Sequence, residues 1–443
     1  MKITFILPAI GKKPGEKYIE TWKMEPLSIA VLKSLTPSDI ETEFYDDRIE
    51  CINYDTKTDL VVITVETYTS QRSYLIADEY KKRGVSVIMG GYHVTLAPDE
   101  VLQYADSIIT GNAEAVWSKM LQDFQNHNLK KTYNGTIEYS DVQPDKSIYV
   151  GKKYLPISLV ETGRGCCNSC EFCAISSYYH GKYYEREHRN IIRDIQNSTN
   201  NFFFLVDDNL VANINNTKEL LKKIEPLKIK WAGQGTLSMA KDKELLKLMK
   251  KSGCELILIG FESLEEESLK QMNKTFNAVL GKRDELVKRI HDAGIGIYAT
   301  FVFGYDGDTY KTFEDTLNFA RKHNFYTAAF NHLLPFPGTG LYQRLKEEKR
   351  LIYDKWWLEE NYIYGDIAFK PKNMSADELS KLCQQARKEY SNFSTVVKRG
   401  LYSIKRSSPL MWLLFWSMNL RLGKEVDEKM KIPIGRHLDE LPK

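Results

Sequence analysis

The chain has 443 residues, of which 42% are hydrophobic and 27% are charged, and its formal net charge is +3. This composition is typical of globular proteins and excludes a largely disordered chain, and the near-neutral charge gives no support to nucleic-acid binding. The length exceeds what one hydrophobic core usually serves, so we expect two or three domains.

The first apolar run, ITFIL, is shorter than the ~7–15 residues of a secretory signal and is predicted to be a β-strand. No segment provides the ~18 apolar residues of a membrane span, so we expect no transmembrane segment. The nearest approach, Leu410–Met418, is predicted to be a buried helix, with a helix on a membrane surface as the alternative. Four of the seven cysteines fall within eight positions, which without an export signal indicates metal binding in the reducing cytoplasm.

Residues 1–130 alternate short apolar runs with helical patterns, which predicts an α/β fold with a doubly wound, Rossmann-like parallel sheet. The predicted strands are Ile3–Leu7, Glu43–Tyr45, Leu60–Val65, Val85–Met89 and Ser107–Thr110. Ligands bind such a sheet at the carboxyl ends of its strands, where this sequence places loops rich in glycine and small polar residues.

Residues 131–155 lose this alternation and are interpreted as a linker that could contain one hairpin. Residues 156–340 resume it, with too few units for a closed eight-unit barrel, which predicts a central partial (β/α)6 barrel. Its predicted strands are Ile157–Thr162, Phe202–Val206, Ile229–Gly233, Leu256–Phe261, Ile297–Phe303 and Thr327–Leu333. Residues 341–443 are predicted to form a mostly α-helical C-terminal domain, with a capping box at Ser375–Glu378.

A cysteine motif follows the first strand of the predicted barrel, in the sequence ETGRGCCNSCEFCA. Cys166, Cys170 and Cys173 are spaced as CxxxCxxC. A [4Fe–4S] cluster usually takes four thiolates, so three cysteines on one loop leave one iron open. That iron can bind the amino and carboxylate groups of S-adenosylmethionine (SAM), and an electron from the cluster then cleaves a carbon–sulfur bond of SAM.

Two alternatives stay open for this motif. A structural zinc ion could take three cysteines, with His180 as a fourth ligand. The set of three cysteine ligands could also begin at Cys167, since successive members of Cys167, Cys170 and Cys173 are three positions apart. If the set begins at Cys166, then Cys167 is either an inert neighbour or a second thiol near the site.

A CxxxCxxC motif after the first strand of a partial barrel resembles the radical SAM superfamily, in which SAM yields a 5′-deoxyadenosyl radical. The resemblance covers nearly the whole chain and favours Cys166 over Cys167 as a metal ligand. It implies that strand ends, and the aromatic residue between the last two cysteines, contact SAM. These residues are Phe172, Asp207, Asp208, Gln234, Glu262 and Gly304. The alternative for each polar member is a strand end that binds water or a helix N-terminus.

One subgroup of that superfamily, the hopanoid-methylase-like branch, carries an N-terminal cobalamin (B12)-binding domain. The likeness to it rests on YDDR (45–48), GGYHVTLAPDE (90–100) and LLPFPGTGLY (333–342), together with the layout of residues 1–130 and the helical tail. It implies cobalamin as a further cofactor. The implied contacts are Thr67, Tyr68, Gly90, Gly91, Gly111 and Glu114.

The sequence departs from cobalamin proteins in two respects. The Asp-x-His-x-x-Gly motif that brings a histidine to cobalt is absent, and the segment after the fifth strand reads Gly111-Asn-Ala-Glu114 in place of the usual acidic–glycine signature. His93 is interpreted as a supporting or structural residue rather than a cobalt ligand. Whether cobalamin is bound at all therefore stays open at the level of sequence.

The resemblance implies an enzyme that methylates an unactivated carbon of a small-molecule or lipid-like substrate, with flavodoxin or ferredoxin as electron donor. A non-methyl radical reaction is the alternative, such as cyclisation, ring contraction, carbon–carbon bond formation or transfer of the 3-amino-3-carboxypropyl arm of SAM. A non-catalytic metal or redox sensor is the alternative from another class. Aromatic and apolar residues in the tail permit a lipid but serve a core equally well.

Overall fold

The structure is a computed structural model that describes residues 1–19, 23–136, 141–274, 283–404 and 406–440. Within these ranges the chain forms two large parallel sheets, each flanked by helices, and a helical C-terminal region. The predicted fold class is thereby confirmed: a Rossmann-like sheet, a partial barrel and a mostly helical tail follow one another along the chain.

The first sheet has the strand order β2-β1-β3-β4-β5-β6, with all described pairs parallel. Its strands are β1 Lys2–Leu7, β2 Glu41–Asp46, β3 Leu60–Thr64, β4 Ser86–Gly90, β5 Ser107–Thr110 and β6 Thr132–Asn134. The α-helices around it are Leu27–Leu35, Ser70–Lys82, Tyr92–Leu96, Pro98–Val101 and Trp117–Gln125. The order reverses between β1 and β3, and a crevice opens at such a switch point beyond the carboxyl ends of the strands.

Strand β6 lies within the segment that the sequence predicts to be a linker. It pairs in parallel with β5, so the sheet extends past residue 130 and no hairpin forms there among the described residues. The prediction is wrong here because β6 has only three residues, TYN, too few for an alternating pattern to show. Residues 137–140 of the predicted linker lie outside the described part of the chain.

The second sheet has its strands in sequential order, which is the topology of a partial barrel. Its parallel strands are β7 Ser158–Val160, β10 Phe202–Leu205, β11 Lys230–Gly235, β12 Cys254–Glu262, β13 Gly296–Phe303 and β14 Thr327–His332. Between β7 and β10 lies an antiparallel hairpin of β8 Gly163–Gly165 and β9 Tyr183–Glu185. The α-helices of this region are Ala174–Tyr179, His188–Gln196, Ile214–Ile224, Lys243–Lys251, Glu266–Gln271, Arg283–Asp292, Tyr310–His323 and Gly340–Glu347.

The C-terminal region contains the helices Ala376–Tyr390, Phe393–Ser403 and Pro409–Lys429. The predicted capping box is present: Glu378 N–H donates to Ser375 Oγ (3.2 Å), and Ser375 N–H donates to Glu378 Oε2 (2.7 Å). No helix in the described ranges is both long enough and apolar enough to cross a membrane.

The helix that contains Leu410–Met418 is not the fully buried helix that the sequence predicts. Met411 and Phe415 are buried against the start of β14, whereas Leu410, Leu413 and Leu414 are exposed. The prediction failed because the apolar run covers all sides of the helix. Among the described residues, only part of the helix surface packs against the rest of the protein.

Candidate active site

The cysteine motif forms a compact loop between β8 and the helix Ala174–Tyr179. Cys170 is buried, Cys166 and Cys173 are half-buried, and Cys167 is exposed. Burial raises the pKa of the Cys166 thiol, and it raises the pKa of Cys170 to about 12. Cys166 and Cys173 lie close enough to Cys170 to contribute to that rise, so the three predicted ligands occupy one neighbourhood.

Strand β8 precedes the cysteines, and the two aspartates that follow β10 bind this strand and the residue before it. Asp208 accepts a hydrogen bond from Gly165 N–H (3.0 Å), one residue before Cys166. Asp207 accepts from Thr162 N–H (3.2 Å) and from Thr162 Oγ1 (2.8 Å). Burial raises the pKa of Asp207 to about 7 and that of Asp208 to about 6. Both aspartates thus position the cysteine loop, and their contact with SAM stays a prediction.

A buried ion pair lies next to Cys170. Lys274 Nζ is 2.7 Å from Glu262 Oε1, and both side chains are almost fully enclosed. Burial alone would lower the pKa of Lys274, but Glu262 and the nearby Cys170 raise it, so the ammonium is the form held there. The sequence offers no signal for this lysine, which stands eleven positions beyond the end of the GFES segment.

Further contacts fix the outer side of the cysteine loop. Arg344 forms a two-pronged ion pair with Glu171, through Nε to Oε1 (2.6 Å) and Nη2 to Oε2 (3.2 Å). Glu171 N–H donates to the carbonyl of Met272 (3.0 Å), and Leu341 N–H donates to the carbonyl of Glu171 (3.0 Å). A two-pronged arginine–carboxylate contact fixes orientation as well as distance, so the loop is held rigidly.

The other residues predicted to contact SAM have mixed placements. Phe172 packs against the hydrophobic core of the barrel, and Gln234 Nε2 donates to the carbonyl of Asp208 (2.9 Å). Gly304 has a φ of 117°, and a side chain there would meet Phe369 and Leu379 of the C-terminal region. Gln234 therefore joins the support of the cysteine loop, and Gly304 permits close packing of the tail on β13.

A cavity of about 570 Å³ lies beyond the carboxyl ends of the N-terminal sheet and reaches the barrel at β7 and β10. Four residues predicted to bind cobalamin line it: Gly90, Gly91, Gly111 and Glu114. Gly91 has a φ of 122°, and a side chain there would collide with the backbone of Val65. Most of the remaining lining is apolar, from Leu32 and Trp117 on one side to Phe204 on the other.

Glu66 places a carboxylate in this cavity, directly after β3. Its side chain is accessible from the cavity, but the surrounding protein still raises its pKa because little bulk water reaches it. The nearest cation that acts on it, Arg48, is committed to Asp46 (2.6 Å). The sequence predicts the next two residues, Thr67 and Tyr68, as cobalamin contacts and not Glu66. Glu66 also follows a strand end, which is the pattern on which that prediction rests.

Thr67 and Tyr68, the other residues predicted to contact cobalamin, face away from this cavity. Thr67 Oγ1 lies 3.2 Å from His93 Nδ1, and Tyr68 packs edge-on against Trp356 with ring centroids 5.1 Å apart. His93 Nε2 is 3.1 Å from Glu100 Oε1, so both ring nitrogens of this buried histidine are occupied. This geometry agrees with a structural role for His93.

The cysteine loop is also tied to the N-terminal sheet. Arg164, two residues before Cys166, pairs with Glu114 (2.6 Å) and Glu161 (2.8 Å). In the helix after the loop, Tyr178 donates to Asn112 Oδ1 (3.2 Å) and packs on Tyr92. Arg164 therefore joins the strand ends of the two sheets at the cavity, a role that its place in ETGRGC could have suggested.

The three thiols Cys166, Cys170 and Cys173 suit a [4Fe–4S] cluster, whose ligands bind separate irons. Thiolates on one zinc ion at ~2.3 Å lie about 3.8 Å apart, whereas cluster ligands bind separate irons and lie farther apart. No three Cys, His, Asp or Glu side chains are grouped to hold one metal ion in the described ranges, which include His180 and all four cysteines of the motif. Three neighbouring thiols on one rigid loop are the donor set for three corners of a cluster.

Residues 160–320 match the radical SAM superfamily, from the end of β7 to the helix before β14. This part of the chain is thus similar to the radical SAM domain, and the match supports an enzyme. A [4Fe–4S] cluster and SAM are the cofactors that this domain implies.

The relatives extend the likeness to almost the whole chain. Bacteriochlorophyllide d C-12(1)-methyltransferase of Chlorobaculum tepidum is 28% identical over 414 residues, which is 90% of this chain and 88% of the relative. Hopanoid C-2 methylase of Rhodopseudomonas palustris is 24% identical, over 75% of this chain and 66% of the relative. Among solved structures, the cobalamin-dependent SAM radical enzyme OxsB with aqua-cobalamin bound matches 96% of this chain and 72% of its own, with a TM-score of 0.65 and 15% identity. At that identity the match shows a shared fold.

Proposed function

We propose that this enzyme transfers a methyl group from SAM, by way of cobalamin, to an unactivated carbon of its substrate. The observation that carries the proposal is the cavity between the carboxyl ends of the two sheets, lined on its barrel side by Arg164 and Tyr178, which flank the cysteine loop. When bound, the cluster and SAM supply a radical that removes a hydrogen atom, and cobalamin supplies the methyl group. Such a reaction needs the two cofactors to face one substrate, and this cavity is the space between their predicted sites.

The residues around the cavity support cobalamin as one of its occupants. Gly91 and Gly111 lie at the ends of β4 and β5 and have positive φ angles. Because neither residue has a side chain, the edge of the sheet is bare there. Leu32 and Trp117 supply an apolar wall beside them. In this arrangement Gly90, Gly91, Gly111 and Glu114 would hold the corrinoid, and no histidine would reach its metal.

The substrate that we propose is a largely apolar small molecule of the polycyclic kind named for the two curated relatives, a chlorophyll precursor or a hopanoid. The apolar lining of the cavity favours such a molecule over a sugar or a nucleotide. Glu66, Glu114 and Arg164 are among the charged side chains of the lining that can orient a polar group on it.

We further propose that the enzyme works in the cytoplasm and receives electrons from flavodoxin or ferredoxin. Seven unpaired cysteines suit a reducing compartment, and a cluster that cleaves SAM needs a low-potential donor.

The test is anaerobic reconstitution with iron, sulfide and hydroxocobalamin, followed by visible spectroscopy and metal analysis. We expect a broad iron–sulfur band together with corrinoid bands. The variant in which Cys166, Cys170 and Cys173 are alanine should lose the iron and keep the corrinoid. Cys254→Ala, at a buried thiol remote from the loop, is the matched control and should keep both. Protein that binds zinc and no iron would contradict the proposal.

Turnover then separates methyl transfer from other radical chemistry. SAM labelled in its methyl group should give S-adenosylhomocysteine and 5′-deoxyadenosine, and the label should appear in a tetrapyrrole or hopanoid substrate. Formation of 5′-methylthioadenosine instead would indicate transfer of the aminocarboxypropyl arm. Absence of corrinoid bands with intact SAM cleavage would leave a radical enzyme and remove the methylase.

A further inference from the structure

We infer that the hairpin of helices Phe393–Ser403 and Pro409–Lys429 docks on the surface of an anionic phospholipid membrane. Within the described residues, half of the large hydrophobic side chains that are exposed lie in this short stretch of the chain. They are Phe393, Leu401, Ile404, Leu410, Leu413, Leu414 and Leu420. Exposed hydrophobic residues that cluster mark an interaction surface, whereas single exposed residues scattered over a protein are normal.

Four of the exposed residues form one stripe on the longer helix. Leu410, Leu413 and Leu414 lie on its outer side, and Leu420 and Arg421 continue that side two turns later. The opposite side, with Met411, Phe415 and Asn419, is buried against the protein. The helix therefore has an inner side that the fold already uses and an outer apolar side without a neighbour in the described chain.

The charge of the segment identifies the partner. Residues 390–424 have six basic residues and no acidic one, whereas Glu425, Asp427 and Glu428 follow in the last turns of the longer helix. Lys398, Arg406 and Arg421 are exposed, and Arg421 directly follows the exposed Leu420. Exposed leucines together with basic residues fit the interface of a bilayer that contains anionic lipid. The leucines enter the apolar region, and the basic side chains bind the anionic headgroups.

The hairpin is a fixed part of the protein and does not close the active site. Trp412 Nε1 donates to the carbonyl of Gly400 (3.0 Å), and a side chain at Gly400 would collide with Trp416. Met411 and Phe415 pack on Tyr326, together with Phe202 and Leu256, near the amino ends of barrel strands. The cysteines lie at the carboxyl ends, so the membrane surface and the cavity are at opposite ends of the barrel.

Flotation of the full-length reconstituted enzyme with lipid vesicles tests this inference. We expect binding to vesicles that contain about one third phosphatidylglycerol in phosphatidylcholine, and much weaker binding to phosphatidylcholine alone. The double variant Leu413→Ser, Leu414→Ser should lower the affinity about tenfold or more, because each leucine loses its transfer to the apolar region. Leu75→Ser is the matched control, since Leu75 is 51% exposed and Leu413 is 61% exposed.

A second pair of variants tests the charges. The double variant Lys398→Glu, Arg421→Glu should also lower the affinity by about tenfold or more, and about 0.5 M salt should reduce wild-type binding. Lys247→Glu, on the exposed side of a barrel helix, should leave binding unchanged. All variants should cleave SAM at the wild-type rate, which shows that they fold.

Three results would overturn the inference. One is a wild-type enzyme that does not float with anionic vesicles. Another is equal binding by the leucine or charge-reversal variants and the wild type. The last is self-association of the wild type that the leucine variant abolishes without any change in vesicle binding, because the surface would then be an interface between proteins.

Discussion

Glu262 has a φ of 60° at the carboxyl end of β12, where the register with β13 shifts between Gly260 and Glu262. A left-handed conformation costs a non-glycine residue of the order of 1 kcal/mol, so the surroundings must hold it. The buried pair with Lys274 is the contact that does so. Backbone geometry and ion pair together place one carboxylate and one ammonium beside Cys170.

Replacing Lys274 tests that pair. Lys274→Gln leaves the Glu262 carboxylate buried without its cation, and we expect a loss of about 3 kcal/mol in stability or a failure to retain iron. Retained iron should be harder to reduce, because a positive charge near the thiolates is gone. Lys274→Arg keeps the charge and should restore most of both properties. Spectroelectrochemical titration measures the potential, and equal potentials for wild type and Lys274→Gln would contradict the role.

Asp207 gives a prediction about pH. Its pKa is raised to about 7 by burial, from 3.8, so its ionised form destabilises the fold. The stability that protonated Asp207 contributes is fully present below about pH 4 and is lost as the pH rises towards 7.

We therefore expect the stability of Asp207→Asn relative to wild type to increase between pH 5 and pH 8, by the order of 2 kcal/mol. Urea unfolding of the cluster-free protein at several pH values measures it. The lost hydrogen bonds to Thr162 shift the variant by a similar amount at each pH and do not imitate this trend. Asp292→Asn, on an exposed helix end, is the control and should show no such trend.

At the scale of elements, the long strands and helices could be predicted from the sequence because each carries many residues of one period. Strands β12 and β13 have nine and eight residues, and their predicted positions agree with the structure. Three short strands could not be predicted. Strands β6, β8 and β9 have three residues each, so tertiary pairing and not local pattern decides them.

The residues of the candidate site also divide into those that the sequence pattern identifies and those that only the fold brings together. The cysteine motif is contiguous, so its spacing alone indicates a metal-binding loop. Glu66, Arg164 and Lys274 come from separate parts of the chain, and only the packing of the two sheets brings the first two to one cavity. Thr67 and Tyr68 failed to reach the cavity because the turn after β3 directs them towards His93 and Trp356.

At the scale of the whole molecule, the N-terminal sheet is joined to the rest of the chain on two sides. Arg164 and Tyr178 connect the cysteine loop to Glu114 and Asn112 of the first sheet. On another side, Arg72 binds both Asp47 and Asp439, which ties the C-terminal end of the described chain to β2. The cavity therefore lies between parts whose separation is fixed by charged contacts.

The pair of Arg164 and Glu114 can be tested as a junction between the sheets. Arg164→Met leaves Glu114 and Glu161 without their shared cation, and we expect hydrogen exchange in the helix Ala174–Tyr179 to become about tenfold faster. Adding Glu114→Gln should recover part of that loss, since it removes one unpaired carboxylate. Arg289→Met, which breaks an exposed pair with Glu285, is the control. Exchange that is equally fast in the single and the double variant would contradict a direct coupling.

The C-terminal hairpin packs near the amino ends of β10, β12 and β14, at the opposite end of the barrel from the cavity. Substitutions on the outer side of the hairpin are therefore expected to leave the lining of the cavity unaltered.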